Sequence, residues 1–154
     1  AYRLSLAAMA SCSIPVLNAP VELDGRHDYD GGVGDSIPVG RALAKGYGKV
    51  VVVLTRRAGV YPRVGTKAQA AYRVFFRHYP QFRDALLSRP DRYRAQVTLL
   101  NRLEAQGRAF LIRPLEPELP HLEKNPELAA SYYRHGYTRM AALWPELQAF
   151  LNGK

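Results

Sequence analysis

The stretch "KVVVVLT", Lys49 to Thr55, decides the fold class. Four valines and a leucine follow one another with no polar alternation. β-Branched residues in that pattern predict a strand covered on both faces, as in a parallel sheet. A second apolar run, "AFLIRP" (109–114), follows Gly107 and predicts a partner strand. Helical sequence lies between the two, and strand–helix–strand order argues for a layered α/β arrangement. Only these two runs read as parallel-type strands, whereas a typical sheet has about 5 or 6. The expectation is therefore part of a layered α/β/α sheet domain.

Working towards the N-terminus, "IPVGRALAKGYG" predicts a short helix with Pro38 near its start and Gly46 or Gly48 closing it. "APVELDGRHDYDGG" reads as two extended runs joined at Asp24-Gly25, a hairpin signal. "AYRLSLAAMAS" has helical apolar spacing and stops before Pro15. It is a poor secretory signal, since Arg3 is its only cation and Ser and Pro interrupt the apolar core. The chain opens without methionine on what reads as the second half of a helix, which suggests truncation, processing or design.

Towards the C-terminus, helix from Thr66 to Gly107 is punctuated at Pro80 and Pro90. Ala71, Val74, Phe75, Phe82 and Leu86 fall at helical offsets, as do Val97, Leu100 and Leu103, and these are the expected core positions. "EPELPHLEKN" is an irregular crossing. Asn125-Pro126-Glu127 then supplies a capping residue, a first-turn proline and an acid near the helix N-terminus. The last helix is expected to end near Leu151, weakened at Gly136 and Pro145.

Composition narrows the function. With 154 residues and 47% apolar content, the chain can bury a core. No apolar run approaches the roughly 20 residues that span a bilayer. Cys12 is the single cysteine; it excludes an internal disulfide and a cysteine-based zinc site, and reads as a small buried side chain. His27, His78, His121 and His135 show no metal-ligand spacing. Neither a metal nor a cofactor is expected. The net charge of +9 favours anionic partners. Arginine-rich helices with interleaved tyrosines could offer a stacking surface, but no nucleic-acid-binding motif accompanies them, so nucleic acid is not an expected partner.

One loop stands apart. "HDYDGGVGDSIPV", His27 to Val39, places Asp30 directly before Gly31 and Gly32 and follows with Asp35. It is not a calcium loop: counted from Asp28, Val33 stands where an EF-hand needs glycine and Val39 where it needs glutamate. "GGVG" also lacks the Gly-Lys-Ser/Thr of a phosphate loop and the third glycine of a dinucleotide fingerprint. Two glycines after an acid permit close backbone approach and dihedrals closed to other residues. Such a loop can seat a carboxylate against a reacting group; an ordinary turn with a solvated acid has the same composition.

The ordered series Ala10-Ser11, Pro15, Gly25, Asp30-Gly31-Gly32, Pro38-Val39 and the strand Val50 to Leu54 resembles the second half of the patatin-like phospholipase domain. "YRVFFRHYPQFRDALLSRPDRYRAQVTLLNRLEAQGRAFLIRP" and "HLEKNPELAASYYRHGY" look like the helical tail of a bacterial branch. The resemblance implies residues 1–65 as the C-terminal part of the catalytic domain and 66–154 as a helical extension packed on it. It also implies a serine acyl hydrolase with a Ser–Asp dyad. Asp30 would be the catalytic acid, with Gly31 and Gly32 supporting the motif. Physically, a serine hydroxyl needs a base within hydrogen-bond reach, and without a histidine the carboxylate must make that contact itself.

The chain departs from that pattern in two respects. Ser5, Ser11, Ser13, Ser36, Ser88 and Ser131 all lack a Gly-x-Ser-x-Gly context, and no glycine-rich oxyanion loop appears. Both features lie upstream in the family, so the nucleophile is expected in an N-terminal part of the same protein. The expected substrates are lipid or other carboxylic esters. The expected setting is cytoplasmic, with peripheral contact to an anionic membrane as an option. Arg56 and Arg57, after the main strand, are candidates for an anionic headgroup. The alternative reading is a non-catalytic basic α/β module that binds anionic lipid surfaces or nucleic acid.

Overall fold

The structure, a computed structural model, describes residues 2–120 and 123–153. His121 and part of the expected irregular crossing lie outside them. The fold is α/β with a helical C-terminal part. In chain order the elements are α1 (Tyr2–Ser11), β1 (Val21–Leu23), β2 (Arg26–Asp28), a 3₁₀ turn (Gly31–Val33), α2 (Val39–Ala44) and β3 (Val50–Val53). They continue with α3 (Thr66–Phe75), α4 (Pro80–Leu87), α5 (Arg89–Ala105), β4 (Ala109–Ile112) and α6 (Pro126–Leu151). Packing groups residues 1–38 with 62–96 in one compact unit and 39–61 with 97–154 in another.

In the first unit, β1 and β2 form an antiparallel hairpin, with Val21 opposite Asp28 and Leu23 opposite Arg26. Asp24 (φ 52°) and Gly25 (φ 71°) both occupy the left-handed region, as a two-residue type I′ turn demands. The core of this unit is Val33, Phe76 and Leu86, wrapped by Tyr29, Tyr72, Phe82 and Ala85. Tyr29 stacks on Phe82 at 5.1 Å between ring centroids, and Phe82 meets Phe76 edge-on at 4.9 Å. Phe76, not the expected Val74 or Phe75, enters this core; both neighbours are exposed. The helix ends at Phe75, so Phe76 is aimed by the cap residue's own backbone rather than by helical periodicity.

In the second unit, β3 and β4 pair in parallel, Val50 with Ala109 through Val53 with Ile112. Each strand is launched the same way. Gly46 (φ 86°) closes α2 with bonds from Gly46 N to the Leu43 carbonyl and Tyr47 N to the Ala42 carbonyl. Gly107 (φ 66°) repeats this geometry after α5, with Gly107 N to Glu104 O and Arg108 N to Leu103 O. Both are Schellman caps, in which glycine takes the left-handed position without a Cβ penalty. Val97, Leu100 and Leu103 of α5 are buried, as are Leu111 and Ile112 of β4 and Leu143 and Leu147 of α6. Asn125 caps α6, its side chain accepting from the amides of Glu127 and Leu128, and the helix runs through Gly136 and Pro145 without a break.

Two further expectations are corrected. β3 is covered on one face only: Val51 is exposed, and Val53 is 71% exposed. With β4 as its partner in a two-stranded sheet, the valines of alternate pleats have no layer above them. Cys12 is exposed rather than buried. The buried position beside it belongs to Ser13, whose hydroxyl donates to the Met9 carbonyl at 3.0 Å and is thereby accommodated.

Leu100 is fully enclosed, at 0% exposure. Leu100→Ala should lower unfolding free energy in a urea titration by about 2–5 kcal/mol, whereas Leu128→Ala on the exposed side of α6 should stay within about 0.5 kcal/mol. Burial pushes the Tyr29 phenol above the ordinary tyrosine range. The stability this confers is whole below the unfolded pKa and is lost as pH rises through the folded one. Tyr29→Phe should therefore remove a late-ionising phenol from the alkaline absorbance titration and flatten the alkaline loss of stability.

Candidate functional site

Asp30 sits where the hairpin ends and the 3₁₀ turn begins. Its amide donates to the Ser13 carbonyl at 3.0 Å, tying the loop to the chain that leaves α1. Its carbonyl accepts from Val33 N, also at 3.0 Å, which closes the turn. Its carboxylate caps that turn, Oδ1 accepting from Gly32 N at 2.7 Å. This is the Asx-type local bond that aspartate makes readily where the backbone reverses. Asp30 is half-buried. Among the described residues, Gly32 N is the one donor to its carboxylate, and Oδ2 accepts none. One oxygen is thus fixed and the other is free to meet a donor from elsewhere.

The two glycines serve unequally. Neither takes a positive φ, so the expectation of dihedrals closed to other residues is not met. Close approach does apply to Gly32, where a Cβ would lie 3.0 Å from Asp30 Oδ1 and 3.7 Å from Arg89 Nη2. A Cβ at Gly31 would meet open space. The capped carboxylate occupies the room a side chain at position 32 would need.

Downstream residues are gripped by α5. Ser36 Oγ donates to the Gly32 carbonyl at 2.8 Å and accepts from Arg89 Nε at 3.3 Å. Asp35 does not cap the following helix; its Oδ1 accepts from Gln96 Nε2. Gln96 Oε1 in turn accepts from Ile37 N at 3.2 Å. Arg92 reaches the Val33 carbonyl with Nη2, which also donates to Ala85 O at 2.6 Å, while Nη1 donates to Ser88 Oγ at 2.5 Å. Sequence analysis did not single out Arg92 or Gln96. Residue type does not separate half-buried Arg92 from exposed Arg94; the signal is its seat one turn after the α4–α5 junction.

The second unit holds the other candidates. Arg56 pairs with Glu118 at 3.8 Å. Arg57 lines a cavity of about 480 Å³ together with Arg113, Arg139, Glu104 and Glu146. Arg113 is already engaged there by Asn101 at 2.6 Å and Glu104 at 3.5 Å, so the cavity is mixed in charge rather than purely cationic.

Comparison with known families gives two matches. Residues 1–43 match the patatin-like phospholipase model, and residues 79–152 match a domain of unknown function, DUF6363. The first match covers α1, the hairpin, the Asp30 turn and most of α2. No match is found among curated proteins or among solved structures. No helix among the described residues is long and apolar enough to cross a membrane.

Gly32→Ala should press a methyl against the Asp30 carboxylate, which must give by a few tenths of an ångström, and destabilise the chain by up to about 2 kcal/mol, the upper worth of such a cap bond. Gly31→Ala should be neutral or stabilising by up to about 1 kcal/mol, because the added methyl meets nothing and the unfolded chain loses freedom. Urea titrations of the two variants, run side by side, check the contrast.

Proposed function

We propose that the chain is the aspartate-bearing part of a patatin-like serine acyl hydrolase. Residues 1–65 belong to its catalytic domain and residues 66–154 form its helical extension. The single observation that carries this reading is the state of Asp30. Within a patatin-like segment, a half-buried carboxylate is oriented by one backbone amide, and its second oxygen accepts from no donor among the described residues. The edge of β3 gives further support, since among the described residues that strand has one hydrogen-bonded neighbour and an exposed valine face. Additional strands from the upstream part of the protein would fit that arrangement.

In this mechanism the serine nucleophile and the oxyanion donors come from outside these 154 residues. The serine hydroxyl donates to Asp30 Oδ2 and passes its proton there as its oxygen attacks the ester carbonyl. The tetrahedral intermediate collapses, the alkoxide leaves with the proton returned by Asp30, and an acyl-serine remains. Water, deprotonated by the same carboxylate, then attacks the acyl-serine; collapse releases the carboxylic acid and restores the hydroxyl. The carboxylate must stay correctly aimed between turnovers, which the bond from the Gly32 amide favours.

Lipid or other carboxylic esters are the substrate class. The charge of +9 suits a cytoplasmic enzyme working at an anionic membrane surface. Hydrolysis of a short-chain nitrophenyl ester tests the reading. The 154-residue chain by itself should show no turnover. In the full-length protein, Asp30→Asn should lower turnover by about 10²–10⁴-fold while leaving circular dichroism unchanged. Near-normal rates in that variant would remove Asp30 from the mechanism, and no turnover by the unsubstituted full-length protein would favour a non-catalytic basic module that binds anionic surfaces.

A further inference from the structure

We infer that the opening turns of α5 are the positioning element for Asp30, with Arg92 and Gln96 as the residues that hold its loop. This deepens the hydrolase reading and, for its catalytic consequence, rests on it. It also gives a physical role to the start of the segment that matches a domain of unknown function, since residues 79–152 include all of α5.

The Asp30 turn cannot hold itself. It comprises Gly31–Val33, closed by bonds from Val33 N to Asp30 O, Gly34 N to Gly31 O and Asp35 N to Gly31 O. A single 3₁₀ turn with two glycines is marginal alone, because it fixes many dihedrals for few bonds. The upstream tether is the amide bond from Asp30 to Ser13 O. The downstream tethers come from α5.

Arg92 supplies the strongest. The Val33 and Ala85 carbonyls lie at the C-terminal ends of the 3₁₀ turn and of α4, where carbonyls lack intrahelical partners and the helix dipole is negative. One guanidinium nitrogen serves both, and the other holds Ser88 Oγ at the α4–α5 junction. A planar fork can serve three acceptors at once; a single ammonium point charge cannot match that geometry. Among the described residues Arg92 has no carboxylate within ion-pairing distance, so its donors are committed to this junction.

One turn further along, Gln96 takes Asp35 Oδ1 with its amide nitrogen and Ile37 N with its amide oxygen. Positions 89, 92 and 96 share one face of α5 at helical spacing. Together they contact Ser36, Val33, Asp35 and Ile37, the whole downstream flank of the turn. Arg89 is exposed and its bond is long, so it contributes least. The Asp30 carboxylate rests on Gly32 N, and the height of Gly32 N is set by a turn whose far end is pinned at Val33. A displacement of about 1 Å at a catalytic group can cost about 10²-fold in rate, so loosening Val33 reaches the chemistry without touching it.

Amide hydrogen exchange on the 154-residue chain tests the contact directly. In Arg92→Met, exchange at Val33, Gly34 and Asp35 should rise at least about tenfold while the β3 and β4 amides keep their protection. Unchanged protection of those three amides overturns the proposal. If the methionine variant does not fold, Arg92→Lys keeps the charge without the fork and should show intermediate protection; wild-type protection there overturns it equally. In the full-length protein, Arg92→Met should lower kcat by about tenfold or more with KM unchanged, and Arg92→Lys should recover part of the loss. A raised KM with kcat retained contradicts a positioning role. Should Asp30→Asn leave turnover intact, the catalytic role of Asp30 fails, and the amide protection still decides whether α5 holds the loop.

Discussion

The Val33 carbonyl, at the end of a three-residue turn, has no partner in its own segment, and Arg92 provides it. Leaving such a group unpaired as it is withdrawn from water costs about 1–3 kcal/mol, a large share of what one short turn can contribute. Much of the first unit is arranged around this constraint. Val33 packs its side chain against Phe76 and Leu86 while its carbonyl faces the guanidinium. The same cation closes the last turn of α4 at Ala85, so a bend between two helices and a loop far away in sequence share one donor. The aspartate loop is therefore shaped from two directions, by the hairpin that delivers it and by a helix, α5, that begins only at Arg89.

The second unit relies on punctuation more than on polar contacts. Gly46 and Gly107 end their helices identically and send the chain into β3 and β4, which lie side by side in parallel register. Apolar side chains on α5, β4 and α6 then fill the space, with Leu100 at the centre. Lys49 adds a link at the end of this arrangement, its ammonium donating to the Phe150 carbonyl at 3.1 Å and sitting 5.1 Å from that ring's centroid. Phe150 also meets Phe110 of β4 at 5.6 Å.

Signals that act over a few residues were legible in the sequence. The Asp24-Gly25 turn, the glycine stops, the Asn125 cap and the spacing of Val97, Leu100 and Leu103 each depend on neighbours within one or two turns, and each appears where the residues place it. What was not legible depends on segments distant in sequence. Four valines in a row state that a strand can be covered on both faces, not that a second layer is present, and the face of Val51 and Val53 is bare. Phe75 and Phe76 are equivalent by type, and the place where α3 stops chooses between them. At the site, the pattern Asp-Gly-Gly located the capped acid, whereas Arg92 and Gln96 owe their meaning to carbonyls and amides some sixty positions earlier. No periodicity records such a pairing.

The interleaving of the compact units bears on how this polypeptide can be divided. Family resemblance stops at 43 and resumes at 79, which invites scissors in the gap. A cut at 65 would part Val33 from Phe76 and Leu86 in one unit and β3 from β4 in the other. Each excised half would inherit two incomplete interiors instead of one whole one. The stretch of unknown function is thus no detachable passenger: its Leu86 shares a core with Val33 of the patatin-like stretch, and its β4 pairs with β3, which lies between the two matches.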